Sequence, residues 1–226
     1  VNELTILLRL PLLEEVSLSL AKNTDLTALS DITGLKSLRL RFFRLSEEAG
    51  KTIEFQFSEK WANIEVISLS YFNGVIQNIE NLALYKNLQE LFIPDVGISD
   101  ENIISGLTSL THLATSIEEG FDVAALSKLS NLELIQLDAS GLASHDISLD
   151  FLTGLIDLKE IILTNFEQAD LSVLSNLPQS EQIKHIKLAN SSISNLNFLK
   201  NLPQLEWLSL ENMGLSEFDA SILLNP

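Results

Sequence analysis

The sequence predicts an α/β solenoid in which about nine short repeats stack side by side over residues 1–226 as a single domain. A parallel β-sheet would line the concave face, and short 3₁₀ or helical turns would line the convex face. Three observations predict this fold. One apolar pattern recurs at a spacing close to 22 residues, a second apolar pattern with a period of three follows it in each repeat, and hydrophobic residues make up 46% of the chain, enough for a continuous core.

The first half of each repeat predicts a short β-strand. Apolar residues usually occupy its positions 1, 4 and 6, as in LELIQL, and positions 4 and 6 lie on the same side of a strand, which we predict to be the core side. Four of the eight spacings between repeats equal 22 residues and none is shorter, so we predict a unit of 22 residues with insertions in the second, third, sixth and seventh repeats. The repeats start at Leu13, Leu35, Ile64, Leu88, Leu110, Leu132, Leu158, Ile183 and Leu205.

The second half of each repeat predicts a short turn of helix. Apolar residues recur at positions 14, 17 and 20, for example at Val123, Leu126 and Leu129. A period near three favours 3₁₀ turns over long α-helices. Asp or Asn often precedes position 14, where its side chain can cap the turn by accepting backbone N–H bonds. These polar residues are Asp25, Asn78, Asp122, Asp170 and Asn195.

The second repeat carries the largest insertion, which reads RLSEEAGKTIEFQFSEKW. Its TIEFQF stretch alternates polar and apolar residues. Because such alternation is typical of a strand with one buried side, we predict an additional strand on the back or flank of the solenoid.

These repeats resemble the 22-residue leucine-rich repeats of bacterial internalin-type proteins and of SDS22-like phosphatase regulators, over essentially the whole chain. The resemblance implies a right-handed solenoid shaped as a horseshoe or arc. Both groups usually carry Asn at position 9, where the side chains form a hydrogen-bonded ladder. Here position 9 holds Ala21, Phe43, Phe72, Val96, Glu118, Ser140, Phe166, Ser191 and Met213.

The missing position-9 asparagines predict a different interior and a less regular curvature than in a typical internalin. We expect Phe43, Phe72 and Phe166 to form a partial phenylalanine stack in place of the ladder. Asparagines do occur one residue earlier in the last three repeats, at Asn165, Asn190 and Asn212.

The two ends of the sequence fall at different points of the repeat. Val1 is at position 11 of a preceding unit, and Pro226 is at position 22 of the last one. Neither end reads as the polar capping unit that terminal repeats need. We therefore expect the chain to be part of a longer polypeptide or to have unusual caps.

Composition excludes several classes of partner and site. The net charge of −17 disfavours binding to nucleic acid or to anionic lipid. The sequence contains no run of about 18 apolar residues, so we predict no membrane insertion. The absence of cysteine excludes disulfides, thiolate metal sites and cysteine nucleophiles. The sequence does not determine the compartment: the resemblance favours the extracellular space or cell surface, and the cytoplasm is the alternative.

Catalytic or metal-binding motifs find little support. His112 and His185 share position 3 but are three repeats apart, roughly 14 Å by strand spacing, too far for a dyad or one metal. His145 lies near Asp146 and Asp150 in SHDISLD, a weak pattern for a metal site. No P-loop, dinucleotide fingerprint or HExxH motif occurs. We predict no enzymatic activity, no cofactor and no metal.

The candidate binding face consists of positions 3, 5, 7 and 8, which we predict to point outward from the concave sheet. We expect partner binding at Arg39, Arg41, Phe42, Tyr71, Phe92, Ile117, Leu134, Ile162 and Trp207. Four of them come from successive strands and predict one contiguous apolar patch: Tyr71, Phe92, Ile117 and Leu134. A neighbouring segment or domain covering this face is the alternative.

Arg39 and Arg41 form a basic island on an acidic molecule. This island either pairs with a carboxylate-bearing partner or is a solvated strand face.

The leading functional hypothesis is a non-enzymatic protein-binding module from a bacterial surface or secreted protein. The partner is a protein of unknown identity. Two alternatives remain at this stage: an intracellular regulatory or scaffold subunit of the SDS22-like kind, and a structural spacer for another domain.

Overall fold

The computed structural model describes residues 3–20, 24–42, 53–142, 147–166, 171–191 and 196–214. The strands are β1 (Glu15–Leu20), β2 (Ser37–Phe42), β3 (Ile53–Gln56), β4 (Val66–Ser70), β5 (Gly74–Gln77), β6 (Glu90–Ile98), β7 (His112–Glu118), β8 (Leu134–Gly141), β9 (Glu160–Thr164), β10 (His185–Ala189) and β11 (Trp207–Glu211). Nine of them form one parallel sheet in the order β1-β2-β4-β6-β7-β8-β9-β10-β11. Each of these nine begins two residues after a predicted repeat start, so the apolar pattern predicted every strand of this sheet.

Short 3₁₀ helices connect the strands on the opposite side. Those among the described residues span Glu3–Arg9, Thr27–Asp31, Ile79–Leu84, Glu101–Ile103, Val123–Lys128, Asp150–Gly154, Leu171–Asn176, Ser180–Gln182 and Asn197–Asn201. The predicted caps at two aspartates are confirmed, because Asp25 Oδ1 accepts from the backbone N–H of Thr27 and Asp122 Oδ1 accepts from that of Ala124, both at 3.0 Å. The predicted cap at Asn78 is wrong, because its side chain makes no capping hydrogen bond.

The capping predictions for Asp170 and Asn195 lie outside the described residues.

The core lies between the sheet and the 3₁₀ helices. Positions 4 and 6 point into it as predicted: Leu91 and Ile93 of β6 are completely buried, and so are Ile135 and Leu137 of β8. Alternate residues of the same strands face outward. This alternation separates one apolar side of the sheet from a second side that is free to carry polar and aromatic groups.

The insertion in the second repeat contains the predicted additional strand. Strand β3 pairs in parallel with β5 in a separate two-stranded sheet. The first residue of β5, Gly74, has to be glycine, because a Cβ atom there would lie 2.3 Å from the carbonyl oxygen of Ile53.

Large aromatic side chains pack behind this small sheet. The ring of Phe55 lies 5.1 Å from that of Phe57 and 6.1 Å from that of Trp61, which in turn lies 6.3 Å from Tyr85. The Tyr85 hydroxyl donates to the carbonyl oxygen of Ser58 at 2.8 Å, and burial raises the pKa of this phenol. The insertion is therefore an integral part of the core.

The predicted phenylalanine stack does not form between Phe72 and Phe166. Both are buried, but they follow β4 and β9, which are four strands apart in the sheet. Phe72 instead contacts Phe42, with ring centroids 5.3 Å apart in an edge-to-face arrangement. Phe43 lies outside the described residues.

Candidate partner-binding surface

The register of the nine strands arranges the outward side chains in rows. The row at position 3 is Glu15, Ser37, Val66, Glu90, His112, Leu134, Glu160, His185 and Trp207. The row at position 5 is Ser17, Arg39, Ser68, Phe92, Ala114, Gln136, Ile162, Lys187 and Ser209. Because neighbouring strands are about 4.8 Å apart, adjacent side chains in a row can contact one partner group together.

Most of the predicted binding residues lie on this outward face. Tyr71, Trp207 and Phe92 are large and exposed, with 55%, 47% and 38% of their surface accessible. Leu134 and Ile162 are half-buried on the same side. The predicted residues on the outward face are Arg39, Arg41, Tyr71, Phe92, Leu134, Ile162 and Trp207.

The predicted exposure of Phe42 and Ile117 is wrong, because both side chains are buried in the core. Both residues are at position 8, on the same side of a continuing strand as positions 4 and 6. Strand β2 continues through Phe42, and β7 continues past Ile117 to Glu118. Tyr71 is also at position 8, but β4 has already ended, and its left-handed backbone with φ of 59° turns the side chain outward.

The single contiguous apolar patch predicted from Tyr71, Phe92, Ile117 and Leu134 is therefore absent. Phe92 and Leu134 stand in different rows, with β7 between their strands. Phe92 has Ala114 as its row neighbour, and Leu134 has His112. The exposed aromatic residues belong instead to two separate clusters.

The first group is the arginine–tyrosine cluster, formed by Arg39, Arg41, Tyr71 and Phe92. The guanidinium of Arg41 lies over the Tyr71 ring, 5.6 Å from its centroid. The guanidinium of Arg39 donates to Glu90 Oε2 at 3.2 Å, across the intervening strand β4. The cluster offers two cationic groups beside two exposed rings.

The second group is the tryptophan cluster, formed by Glu160, His185, Lys187 and Trp207. The His185 ring meets the Trp207 ring edge-on with centroids 6.3 Å apart, and its Nδ1 lies 3.2 Å from Glu160 Oε2. Lys187 pairs with Glu211 at 2.8 Å, and this hydrogen bond lowers the pKa of the Glu211 carboxyl. The charges beside Trp207 are thus largely paired within the protein.

Comparisons with known proteins identify the fold. Internalin C2 of Listeria monocytogenes superposes with a TM-score of 0.54 at 18% sequence identity, over 81% of this chain and 74% of that protein. A second Listeria internalin, InlF, has a TM-score of 0.55 at 18% identity, over 93% of this chain and 70% of its own. A leucine-rich-repeat protein of Leptospira interrogans has a TM-score of 0.59 at 14% identity, over 93% and 58%.

The protein has a leucine-rich-repeat fold. Neither a protein-family model nor a curated protein sequence matches the chain.

In the last three repeats, this leucine-rich-repeat protein contains an asparagine ladder at position 8 instead of position 9. Asn190 Nδ2 donates to Asn165 Oδ1 at 2.9 Å, and Asn212 Nδ2 donates to Asn190 Oδ1 at 3.0 Å. Asp138 extends the ladder by accepting from Asn165 Nδ2 at 2.8 Å. All three asparagines have positive φ angles between 51° and 63°.

A cavity of about 650 Å³ lies between the fifth and sixth repeats of the leucine-rich-repeat array. Its lining includes Phe121, Leu142, Ile147 and Asp150. Asp150 of the predicted weak metal motif lines this cavity, but His145 and Asp146 lie outside the described residues.

Within the described part of the chain, no group of three or more His, Asp or Glu side chains is placed to hold a metal ion. His112 and His185 are three strands apart in the position-3 row. None of the described helices is long and apolar enough to cross a membrane.

The serines beside the arginine–tyrosine cluster were not singled out from the sequence. Ser17 and Ser68 flank Arg39 in the position-5 row. A single serine carries no signal in a sequence. The signal is the register, because serine recurs at positions 5 and 7 on both strands next to β2.

Proposed function

We propose that the protein is a non-enzymatic module that binds a protein partner on the outward face of its nine-stranded sheet. The main support for this proposal is that the side chains of Tyr71, Phe92 and Trp207 are exposed to solvent on one face. Tyrosine and tryptophan are enriched at binding hot spots, and an exposed aromatic residue offers a large apolar area to a partner. A sheet in which every strand pairs with its neighbours supplies a rigid platform for such anchors.

We further propose that the module comes from a bacterial surface or secreted protein. The structural likeness to two internalins of Listeria monocytogenes and to a protein of Leptospira interrogans supports it. The net charge of −17 also supports a protein partner over nucleic acid, because an acidic surface repels phosphates.

Site-specific photo-crosslinking tests which face binds. A benzophenone side chain placed at Phe92 or Trp207 probes the sheet face, and one placed at Leu84 or Ile156 probes exposed positions outside the sheet. Leu84 and Ile156 are matched controls because they are 52% and 56% exposed. We expect adducts with the partner from the two sheet-face positions only, and mass spectrometry of the adduct identifies the partner.

The affinity of the identified partner then provides the quantitative test. We expect Tyr71→Ala combined with Phe92→Ala to weaken binding at least tenfold, because two anchors are truncated. Leu84→Ala combined with Ile156→Ala should leave the affinity unchanged. Adducts from Leu84 or Ile156 alone, or full affinity in the Tyr71 and Phe92 double variant, would contradict the proposal.

A further inference from the structure

Serine hydroxyls surround the two arginines of the arginine–tyrosine cluster. Strand β2 carries Arg39 and Arg41, and its neighbours β1 and β4 carry serine opposite each of them. Arg39 lies between Ser17 and Ser68, and Arg41 lies between Ser19 and Ser70. With strands about 4.8 Å apart, each guanidinium-bearing position has a hydroxyl group on either side.

These four hydroxyls make no hydrogen bond to any other part of the described chain. The other described serines at positions 5 and 7 of the sheet are engaged, since Ser116 donates to the carbonyl oxygen of Pro94 at 2.7 Å and Ser209 donates to Glu211 at 3.0 Å. Unused hydroxyls on the sheet face are therefore concentrated around the arginine pair. A hydroxyl that is free on an exposed sheet can donate to a bound oxyanion. The four serines are Ser17, Ser19, Ser68 and Ser70.

The two guanidinium groups have different partners. Arg39 is paired with the carboxylate of Glu90, and both side chains are close to half exposed. Arg41 stacks on Tyr71, and no carboxylate of the described residues pairs with it. Among the described residues, the charge of Arg41 therefore has no carboxylate partner, and the contact of Arg39 with Glu90 shows that a carboxylate can reach the guanidinium from this face.

The spacing of the arginines matches an extended peptide. Arg39 and Arg41 are two residues apart on one strand, so their Cα atoms are about 6.8 Å apart. Side chains at alternate positions of an extended segment have the same separation and point to the same side. Two carboxylates at such alternate positions can therefore each meet one guanidinium.

We propose that the arginine pair and its four flanking serines bind an extended acidic segment of the partner, with two carboxylates at alternate positions and an aromatic or aliphatic residue beside them. This inference rests on the proposed function and specifies the chemistry of the partner. The apolar residue would contact Phe92 and Tyr71. Because Glu15 of β1 and Glu90 of β6 lie at position 3 on either side of the arginine strand, a longer acidic run would be repelled, and the site selects two carboxylates.

Glu90 competes internally for Arg39 in this arrangement. A partner carboxylate must displace it from the guanidinium, and the pair is exposed enough for the exchange to occur. Removing the charge of Glu90 should therefore strengthen binding of the acidic segment, whereas removing the charge of either arginine should weaken it. A surface that responded only to net charge would also respond to the removal of a lysine outside the sheet.

Titrations with synthetic peptides, followed by NMR and fluorescence polarisation, test the proposal with the whole chain. The probe is the peptide Thr-Glu-Thr-Glu-Thr-Phe. The control peptides carry glutamine in place of both glutamates, carry the two glutamates side by side, or carry one phosphoserine. We expect the probe to bind at least about tenfold more tightly than any control peptide, since hydrogen bonds to charged groups are strong and geometry-dependent.

Variants of the chain locate the bound peptide. Arg39→Gln combined with Arg41→Gln should reduce the affinity about tenfold or more, and alanine at the four serines should reduce it several-fold. Glu90→Gln should increase it a few-fold. Lys128→Gln, which removes an exposed cation from a 3₁₀ helix outside the sheet, should leave it unchanged. Circular dichroism checks that each variant keeps the native fold.

Several results would overturn the proposal: equal binding of the glutamine or side-by-side peptide, tighter binding of the phosphoserine peptide, no binding of any peptide, or an affinity unaffected by the arginine changes. The proposed function fails separately, through the crosslinking positions and the Tyr71 and Phe92 variants. If partner binding depends on Tyr71 and Phe92 but not on Arg39 and Arg41, the protein is still a binding module, but its ligand is not the proposed acidic segment.

Discussion

Strands β2 to β6 form a region that is held together in a different way from the region of β8 to β11. In the first, the aromatic region, rings pack between repeats: Phe42 and Phe55 on Phe72, and Trp61 on Tyr85. In the second, the ladder region, asparagine side chains connect the repeats by hydrogen bonds. The same 22-residue pattern thus tolerates two kinds of lateral contact.

The ladder depends on the backbone at position 8. Asn190 adopts a left-handed conformation, its backbone N–H donates to the carbonyl oxygen of Glu211 at 2.9 Å, and its side chain contacts Asn165 and Asn212. One residue therefore ends the strand and links three repeats. In the aromatic region buried rings make the contacts between repeats instead, and the residue that follows β4 with a left-handed backbone is Tyr71.

This difference implies that the contribution to the free energy of unfolding varies along the solenoid. Burying a large aromatic side chain stabilises a fold by more than an exposed amide–amide bond does, because hydrogen bonds exchanged with water have a small net value. In a repeat protein each unit contacts mainly its neighbours, so these differences remain local. We expect the ladder region to unfold at lower denaturant concentration than the aromatic region.

The largest expected effect comes from the aromatic region. Trp61→Ala should lower the free energy of unfolding by about 3–5 kcal/mol, because it empties a completely buried site. Urea denaturation followed by circular dichroism measures the loss. The control is Trp207→Ala, since Trp207 is half exposed and should change stability by only about 0.5 kcal/mol.

These two residues are the only tryptophans of the chain, so each single variant leaves one fluorescent reporter. Equal losses of stability in the two variants would contradict the assignment of Trp61 to the core.

A smaller loss is expected in the ladder region. Asn190→Ala should cost about 2 kcal/mol, because it removes two side-chain hydrogen bonds and places alanine at a positive φ angle. Asn190→Gly removes the same bonds but tolerates the backbone, so it should cost about 1 kcal/mol less. Amide hydrogen exchange should report faster opening around β10 in both variants, with little change in β4.

Identical stabilities of the alanine and glycine variants would show that the left-handed backbone carries no energetic weight. In that case the ladder bonds alone would account for the loss.

The sequence predicted the repeats well and the ends of the strands poorly. Positions 4 and 6 face the core and positions 3 and 5 face outward, so the strand starts and the outward rows follow from periodicity alone. Periodicity does not predict whether the side chain at position 8 is buried or exposed. Phe42 and Tyr71 both stand at position 8 and both precede a phenylalanine, yet one is buried and the other exposed.

The reason for this failure is that a single backbone dihedral decides the side on which position 8 lies. Asparagine signals a positive φ angle at Asn165, Asn190 and Asn212, because its side chain tolerates that conformation. Tyrosine gives no such signal. The predicted apolar patch failed for the same reason at Ile117, and the serine frame around Arg39 becomes visible only once the register is known.

The smallest expected effect tests whether Tyr71 has the same backbone as the ladder asparagines. Tyr71→Asn and Tyr71→Ala both remove the ring and its contact with Arg41, but only asparagine tolerates a φ angle of 59°. The asparagine variant should therefore be more stable than the alanine variant by about 0.5–1 kcal/mol, as measured by paired urea titrations. Alanine equal to or better than asparagine would mean that β4 ends in a different way from β9 to β11. The expected order would instead establish that the aromatic region places its one exposed position-8 ring with the backbone conformation of the ladder, and at a cost in stability that a binding role for Tyr71 would explain.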